Sequence, residues 1–217
     1  VFGLVGSEMC IRDRIFTDEK VYDPSVSLRQ KDRDTDEIYI SYSTPKTQNR
    51  TYLYNIKTKE KKLVKEQIIP SGHEPNDYIV ERLECPSHDG RVVPITITRH
   101  KNTPIDGSAE LLLYGYGSYG HSMSPTFSST RLSLIKRNII WATAHIRGGM
   151  ERGMKWWKEG KLLNKKNTFK DYIACAKFLI EKKYTSKKKI IGMGGSAGGL
   201  LMGCLLYTSD AADETTG

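Results

Sequence analysis

The chain has 217 residues and a formal net charge of +9, from 34 lysines and arginines against 25 aspartates and glutamates. Such a balance favours nucleic-acid binding only where the charges form a patch with stacking aromatic residues. Here the lysines are scattered over residues 57–65, 161–166 and 182–189, so we predict no nucleic-acid partner. No apolar stretch reaches the roughly 20 residues that a membrane-spanning helix requires, and we predict no membrane association.

The four cysteines form neither a disulfide framework nor a metal-ligand cluster. Free thiols are typical of proteins in a reducing compartment. We therefore predict a cytoplasmic protein that uses no metal and no cofactor. Nothing in the sequence indicates an oligomeric state.

Both ends of the chain resemble translated adapter DNA. Residues 204–209, Cys-Leu-Leu-Tyr-Thr-Ser, can be encoded by TGT CTC TTA TAC ACA TCT, and the reverse complement of that string encodes Met-Cys-Ile-Arg-Asp, which is the sequence of residues 9–13. Two ends of one natural gene have no reason to be related in this way, whereas an adapter ligated to both ends of a DNA fragment produces the relationship. We expect residues 1–14 and 204–217 to be non-biological, and the chain between them to be a fragment.

Short alternations of apolar and polar residues dominate the first part of the remaining chain. Residues 38–42 and 51–56 have this pattern, which predicts short antiparallel strands. Residues 52–64, a strand, a Lys-Thr-Lys-Glu turn and a second strand, suit one blade of a β-propeller. Residues 70–77 are dense in turn formers and indicate a domain boundary. We assign residues 15–76 to the C-terminal part of a propeller domain and its linker.

Residues 77–203 predict an α/β fold, because strand and helix patterns alternate along them. Residues 78–84, 92–99 and 189–193 have strand patterns, and residues 111–114 and 139–144 are continuous apolar runs, as expected for strands buried on both faces. From Thr168 the period becomes helical, and Asp171 three residues later completes a predicted N-terminal cap. The helical stripe consists of Phe169, Tyr172, Ile173, Ala176, Leu179 and Ile180. A further helix is expected from Leu200.

The last predicted strand and helix are joined by residues 194–199, Gly-Gly-Ser-Ala-Gly-Gly, which contain the Gly-x-Ser-x-Gly pattern. In a nucleophile elbow the serine occupies a strained turn, and bulky side chains beside it would collide with the neighbouring strand or helix. The turn exposes the serine oxygen and directs the next backbone N–H at a developing oxyanion, so Ser196 is the candidate nucleophile. The alternative is a phosphate-binding glycine loop, but no lysine follows and the Gly-x-Gly-x-x-Gly spacing is absent.

A second glycine-rich segment, residues 114–120, reads Tyr-Gly-Tyr-Gly-Ser-Tyr-Gly and directly follows a predicted buried strand. Its tyrosine hydroxyls could donate to an oxyanion, and its rings could line a pocket. Aromatic residues packing an ordinary turn are an equally good interpretation of this segment alone.

Taken together, residues 114–120, 145–151, 160–171 and 194–199 resemble the prolyl oligopeptidase family in order and spacing, and among its branches bacterial oligopeptidase B. The resemblance implies an α/β-hydrolase fold, truncated after the nucleophile elbow and preceded by the last β-propeller segment. It also implies roles for single residues: Ser196 as nucleophile, the Tyr116 hydroxyl and the Ala197 backbone N–H as oxyanion donors, and Tyr119 near the pocket for the residue preceding the cut.

The same resemblance implies a serine-type endopeptidase that hydrolyses short peptides after arginine or lysine through an acyl-enzyme. Residues 147–151, Arg-Gly-Gly-Met-Glu, match a family segment in which a third glycine usually stands at Met150. We interpret Arg147, Glu151 and Trp156 as architectural, and expect Arg147 to pair with Glu151.

A serine hydroxyl needs a histidine as base, and that histidine needs an orienting carboxylate. In α/β-hydrolases both follow the serine along the chain, whereas every histidine here precedes Ser196: His73, His88, His100, His121 and His145. We therefore expect the aspartate and histidine of the triad to be absent from this chain, His145 to be a strand-end residue, and the fragment to be inactive. Alternatives are another α/β-hydrolase, such as an esterase or acylaminoacyl peptidase, or a non-catalytic binding domain of the same fold.

Overall fold

The computed structural model describes residues 21–26 and 35–213, with side chains as far as Tyr207. The predicted artificial segment 1–14 lies outside the described residues, and so do residues 214–217. Residues 204–213 continue the last helix. The chain divides into two compact units, Val1–Pro70 with Pro125–Phe127, and Ser71–Ser124 with Ser128–Gly217.

The first unit contains a four-stranded antiparallel sheet in the order β1-β2-β3-β4. Its strands are β1 (Asp23–Val26), β2 (Glu37–Ser43), β3 (Arg50–Asn55) and β4 (Lys61–Glu66). A small core of Ile40, Tyr42 and Tyr54 lies on one face of the sheet, while all of β4 is exposed. The structure confirms the antiparallel strands that the alternation predicted.

The second unit contains a five-stranded mixed sheet in the order β5-β6-β8-β7-β9. Its strands are β5 (Tyr78–Pro86), β6 (Val92–His100), β7 (Leu111–Gly115), β8 (Ile140–Ala144) and β9 (Ile190–Met193). The pairs β5–β6 and β6–β8 are antiparallel, and β7 is parallel to both β8 and β9. All five predicted strands are confirmed to within about two residues. β9 lies at the edge of the described sheet, and Ile191 and Met193 are nearly half exposed there.

The described part of this unit contains four α-helices: α1 (Ser129–Ile135), α2 (Met154–Lys158), α3 (Lys166–Glu181) and α4 (Ala197–Asp213). The first connects β7 to β8, the next two lie between β8 and β9, and α4 follows β9. The largest core cluster lies between the sheet and α3, which contributes Tyr172, Cys175 and Leu179. Full burial of a leucine side chain such as that of Leu179 stabilises the fold by about 1.5–3 kcal/mol. The last helix begins at Ala197, directly after Ser196, and three residues before its predicted start.

The predicted cap of α3 is wrong, because the helix begins two residues before Thr168. The Thr168 hydroxyl donates instead to the Arg147 carbonyl oxygen at 2.8 Å, and the Asp171 carboxylate accepts from the Arg147 guanidinium. Thr168 and Asp171 are both fully buried, whereas Ile173, predicted on the apolar stripe, is 39% exposed. The inward face of α3 therefore carries the buried Thr168 and Asp171 together with its apolar core residues.

The topology brings three loops to one edge of the second sheet. Because β7, β8 and β9 are parallel, their carboxyl ends lie on the same side. The loops that follow them begin at Tyr116, His145 and Gly194. In α/β sheets this edge is where ligands bind.

Candidate functional site

Ser196 lies in a tight turn between β9 and α4, and its backbone has φ +52°. A residue with a side chain rarely adopts this left-handed conformation, so the surrounding turn must hold it there. The Gly198 N–H donates to the Gly195 carbonyl at 2.8 Å and the Gly199 N–H donates to the Ser196 carbonyl at 2.8 Å. The Ser196 side chain is exposed, and its hydroxyl has no hydrogen-bond partner among the described residues.

Two glycines of this turn have no room for a side chain. A Cβ on Gly194 would overlap the Gly198 carbonyl group, and a Cβ on Gly198 would lie 2.5 Å from the Gly115 carbonyl oxygen. A Cβ on Gly195 would meet nothing within 4 Å. Steric crowding therefore requires glycine at positions 194 and 198. It does not require a small residue at position 195, next to the serine, where the sequence predicted a collision.

The tyrosine loop after β7, defined here as residues 116–120, lies next to the serine turn. Gly115 packs against Gly198, and a Cβ on Gly198 would be only 3.5 Å from the Tyr116 Cα. The Tyr116 ring is partly buried and contacts the His121 ring edge-on, with 5.4 Å between centroids. Two of the segments singled out in the sequence, 74 or more residues apart, therefore meet through their backbones.

Tyr119 lies at the exposed part of the tyrosine loop. Its backbone has φ +57° and its side chain is 82% exposed. Ala197, whose N–H is the other candidate donor, is the first residue of α4 and is partly buried. Since the first N–H groups of a helix have no partner within the helix, the Ala197 N–H makes no hydrogen bond within α4.

Lys165 donates two hydrogen bonds to the tyrosine loop. Its Nζ donates to the Gly117 carbonyl oxygen at 2.6 Å and to the Ser118 Oγ at 2.8 Å. Burial lowers the pKa of Lys165. Nothing in the sequence singles out this lysine, because it is one of four lysines within residues 161–170 and its partners are almost 50 residues away.

The predicted Arg147–Glu151 pair is wrong. Arg147, only 1% exposed, donates through Nε and Nη2 to Asp171 at 2.8 and 2.6 Å, and through Nη1 to Asp89 at 2.6 Å. Burial alone would lower the pKa of Arg147, but the hydrogen bonds to the two carboxylates raise it. The same contact lowers the pKa of Asp89 against the opposing effect of burial. Trp156 packs near the guanidinium, 5.8 Å from ring centroid to Cζ.

Glu151 bonds to a histidine instead. Its Oε1 accepts from the Met123 N–H at 3.0 Å and lies 3.4 Å from the His145 Nδ1. His145 follows β8, as predicted, and its Nε2 lies 2.7 Å from the Arg82 Nη1 and 2.8 Å from the Thr96 Oγ1. An arginine donates only, so Nε2 accepts and Nδ1 carries the proton. Burial lowers the pKa of His145, and both ring nitrogens are engaged within this cluster.

In the part of the chain that the structure describes, histidine, cysteine, aspartate and glutamate side chains form no group of three or more that could bind a metal ion. None of the described helices has the length and apolar character needed to cross a bilayer.

Comparison with known proteins gives consistent matches. A model of the prolyl oligopeptidase family matches residues 125–211. Dipeptidyl aminopeptidase BI of Pseudoxanthomonas mexicana is 42% identical over 194 residues, which cover 89% of this chain and 27% of that protein. Protease 2 of Moraxella lacunata is 39% identical over 192 residues, or 88% of this chain and 28% of that protein.

A solved structure is similar over nearly the same extent. Oligopeptidase B from Trypanosoma brucei, in a closed form with covalently bound antipain, superposes with a TM-score of 0.82 at 36% identity. The match covers 88% of this chain and 27% of that one. The chain thus spans little more than a quarter of the length of each of these three proteins.

Proposed function

The chain belongs to the prolyl oligopeptidase family, and from this premise we propose that it is part of a serine endopeptidase that hydrolyses short peptides through an acyl-enzyme on Ser196. The observation that carries the proposal is the positive φ of Ser196 at a strand-to-helix turn whose Gly198 packs against Gly115, directly before Tyr116. A strained, exposed serine beside a second loop of hydrogen-bond donors is the arrangement that acyl transfer requires.

We propose that the second unit is the N-terminal part of an α/β-hydrolase domain, residues 77–203, truncated after the elbow. The mixed sheet, with the serine turn at the carboxyl end of β9, supports this assignment. The four-stranded antiparallel sheet of the first unit, which lies within residues 15–76, would be the last segment of a β-propeller. Residues 1–14 and 204–217 would be adapter-derived.

In the proposed reaction the Ser196 hydroxyl loses its proton to a base as the oxygen attacks the peptide carbonyl carbon. The Tyr116 hydroxyl and the Ala197 N–H donate to the resulting oxyanion. The carbon–nitrogen bond then breaks, the amine leaves with the proton, and water hydrolyses the ester that remains on Ser196. No step requires a metal or a cofactor.

The base is proposed to lie elsewhere in the full-length protein. His145 is buried, with both ring nitrogens engaged by Glu151, Thr96 and Arg82, so it is unsuited to accept the Ser196 proton. We propose that an aspartate and a histidine follow in the full-length chain, in the order that α/β-hydrolases use. The chain by itself would then be inactive.

For substrates, we propose short peptides with arginine or lysine before the cleaved bond, and contact of that residue with the exposed ring of Tyr119. A cytoplasmic location is supported by Cys85 and Cys175, which are free thiols buried in the core. Removal of N-terminal dipeptides is a second candidate, favoured by the 42% identity to dipeptidyl aminopeptidase BI.

The test compares the full-length protein with its Ser196→Ala variant on blocked peptides that carry arginine, alanine or proline before the cleaved bond, and on unblocked peptides. Ser196-dependent cleavage after arginine supports the proposal. Release of dipeptides from unblocked peptides alone would assign the second candidate instead. Cleavage of esters without any peptide hydrolysis would assign an esterase and overturn the peptidase.

A further inference from the structure

The tyrosine loop is held at its second and third residues by a positive charge. Lys165, at the start of α3, donates to the Gly117 carbonyl oxygen and to the Ser118 hydroxyl at 2.6 and 2.8 Å. These two acceptors directly follow Tyr116. A charge-assisted hydrogen bond is about twice as strong as a neutral one, so this contact restrains the loop more than an ordinary turn contact would.

The charge on Lys165 is held by neutral acceptors alone. Among the residues that the structure describes, no carboxylate lies within ion-pairing distance of its ammonium group, and burial lowers its pKa. The adjacent Lys166 is exposed. Partial burial of a cation without a carboxylate is unfavourable, and the hydrogen bonds to the Gly117 carbonyl and the Ser118 hydroxyl offset part of that cost.

Tyr116 is therefore fixed from both sides. On one side Gly115 packs against Gly198 of the serine turn. On the other, Gly117 has φ +62°, and a Cβ there would lie 2.5 Å from the Thr168 Cγ2. The ring of Tyr116 is only partly buried and contacts the ring of His121, so the position of its backbone contributes to the direction of its hydroxyl.

We propose that Lys165 is a positioning residue for the oxyanion site: it fixes the Gly117 carbonyl and thereby aims the Tyr116 hydroxyl. This inference rests on the proposed function of Ser196 and Tyr116. A hydroxyl that acts on charge present only in the transition state contributes to kcat and little to substrate binding. Loss of the anchor should thus lower kcat and leave KM almost unchanged.

The experiment uses the full-length protein with the variant Lys165→Met, which keeps the aliphatic stem and removes the donors. Lys166→Met is the matched control, since it removes the same charge one residue away at an exposed position. Active-site titration with a fluorophosphonate gives the concentration of reactive Ser196. The value of kcat is then calculated per active site, and misfolded protein does not lower it. We expect Lys165→Met to lower kcat by about ten- to a hundredfold, the effect of a displacement of about 1 Å, and KM to change by less than about threefold.

A double-mutant cycle with Tyr116→Phe separates positioning from a general structural effect. If Lys165 acts through the Tyr116 hydroxyl, Lys165→Met should lower kcat by less than about twofold once that hydroxyl is gone. Ser118→Ala removes one acceptor and keeps the charge. It provides a second, milder variant if Lys165→Met does not fold, and its smaller loss of kcat should also vanish in the Tyr116→Phe background.

The outcomes distinguish the inference from its premise. A wild-type protein without Ser196-dependent peptide hydrolysis would overturn the proposed function, and the inference with it. Hydrolysis with equal kcat in Lys165→Met and Lys166→Met, or with additive effects of Lys165→Met and Tyr116→Phe, would overturn the inference alone. Additivity for Ser118→Ala would count against it in the same way.

Discussion

The carbonyl oxygen of Gly115 lies so close to Gly198 that a Cβ on Gly198 would come within 2.5 Å of it. This contact joins the loop after β7 to the turn after β9. It brings the backbones of Tyr116 and Ser196 to the same edge of the sheet, although they are 80 residues apart in the chain.

Replacement of Gly198 by alanine should break this contact. Because the obstructing atom is a backbone carbonyl oxygen, the turn or the tyrosine loop must shift, at a cost of about 1–3 kcal/mol. We expect a lower unfolding midpoint and a large loss of Ser196 reactivity toward a fluorophosphonate in the full-length protein. The control for stability is Gly195→Ala, whose Cβ would meet nothing within 4 Å. Equal unfolding midpoints for the two variants would contradict the steric account.

Removal of the Arg147 guanidinium should destabilise the second unit strongly. Arg147→Met leaves the fully buried Asp171 carboxylate without its cation, and breaking a buried pair costs about 3–5 kcal/mol. Arg91→Met is the matched control, because it breaks the partly exposed pair of Arg91 with Glu159, and exposed pairs contribute about 0–1 kcal/mol. Urea unfolding measures both. A similar loss for the two variants would show that burial of the Arg147 pair is not decisive.

The His145 cluster should make stability depend on pH. The pKa of His145 is lowered in the fold by burial, so the unfolded chain binds this proton first, from about pH 6.5 downward. The contribution to the free energy of unfolding is therefore complete above about pH 6.5 and is lost as pH falls toward the folded pKa. Glu151 and Arg82 face the same ring, and the lowered pKa of Glu151 affects stability only below about pH 4.5.

In the His145→Gln variant the unfolding midpoint should fall less steeply as the pH is lowered below about 6.5, because glutamine does not titrate. His88→Gln, at an exposed histidine, is the control for replacing a histidine. An unchanged pH profile in His145→Gln would show that this ring is not the titrating group.

Tyr116→Phe should lower kcat in the full-length enzyme more than it raises KM. The hydroxyl is proposed to donate to charge that exists only in the transition state, and one such donor is worth about 3 kcal/mol, or a hundredfold or more. Steady-state kinetics on a single peptide substrate measure the effect, and Tyr119→Phe is the control for loss of a hydroxyl from the same loop. An unchanged kcat would remove Tyr116 from the oxyanion site.

Much of the fold could be predicted because its signals are local. The strands follow from alternation or from continuous apolar runs. The turn at Ser196 follows from the Gly-x-Ser-x-Gly spacing, in which Gly194 has no room for a side chain because of Gly198 in the same turn. The alternation of strand and helix patterns along the chain was sufficient to predict an α/β fold for the second unit.

The errors concern polar contacts between distant segments. Arg147 was expected to pair with Glu151 four residues away, but its partners Asp171 and Asp89 are 24 and 58 residues away. Spacing along the chain cannot indicate such pairs. The predicted α3 cap is wrong for the same reason, because Asp171 binds Arg147 and takes no part in a cap. Lys165 was missed for the same reason, since one lysine among several gains its role only from the Gly117 carbonyl that the fold brings to it.

The most direct test of the central claim is to locate the reactive serine chemically. The full-length protein is treated with a fluorophosphonate, digested and analysed by mass spectrometry, alongside the Ser196→Ala variant. We predict one adduct, on the peptide that contains Ser196, formed in proportion to the loss of peptide hydrolysis and absent from Ser196→Ala. An adduct on a different serine, or peptide hydrolysis that survives in Ser196→Ala, would contradict the assignment of Ser196 as the nucleophile.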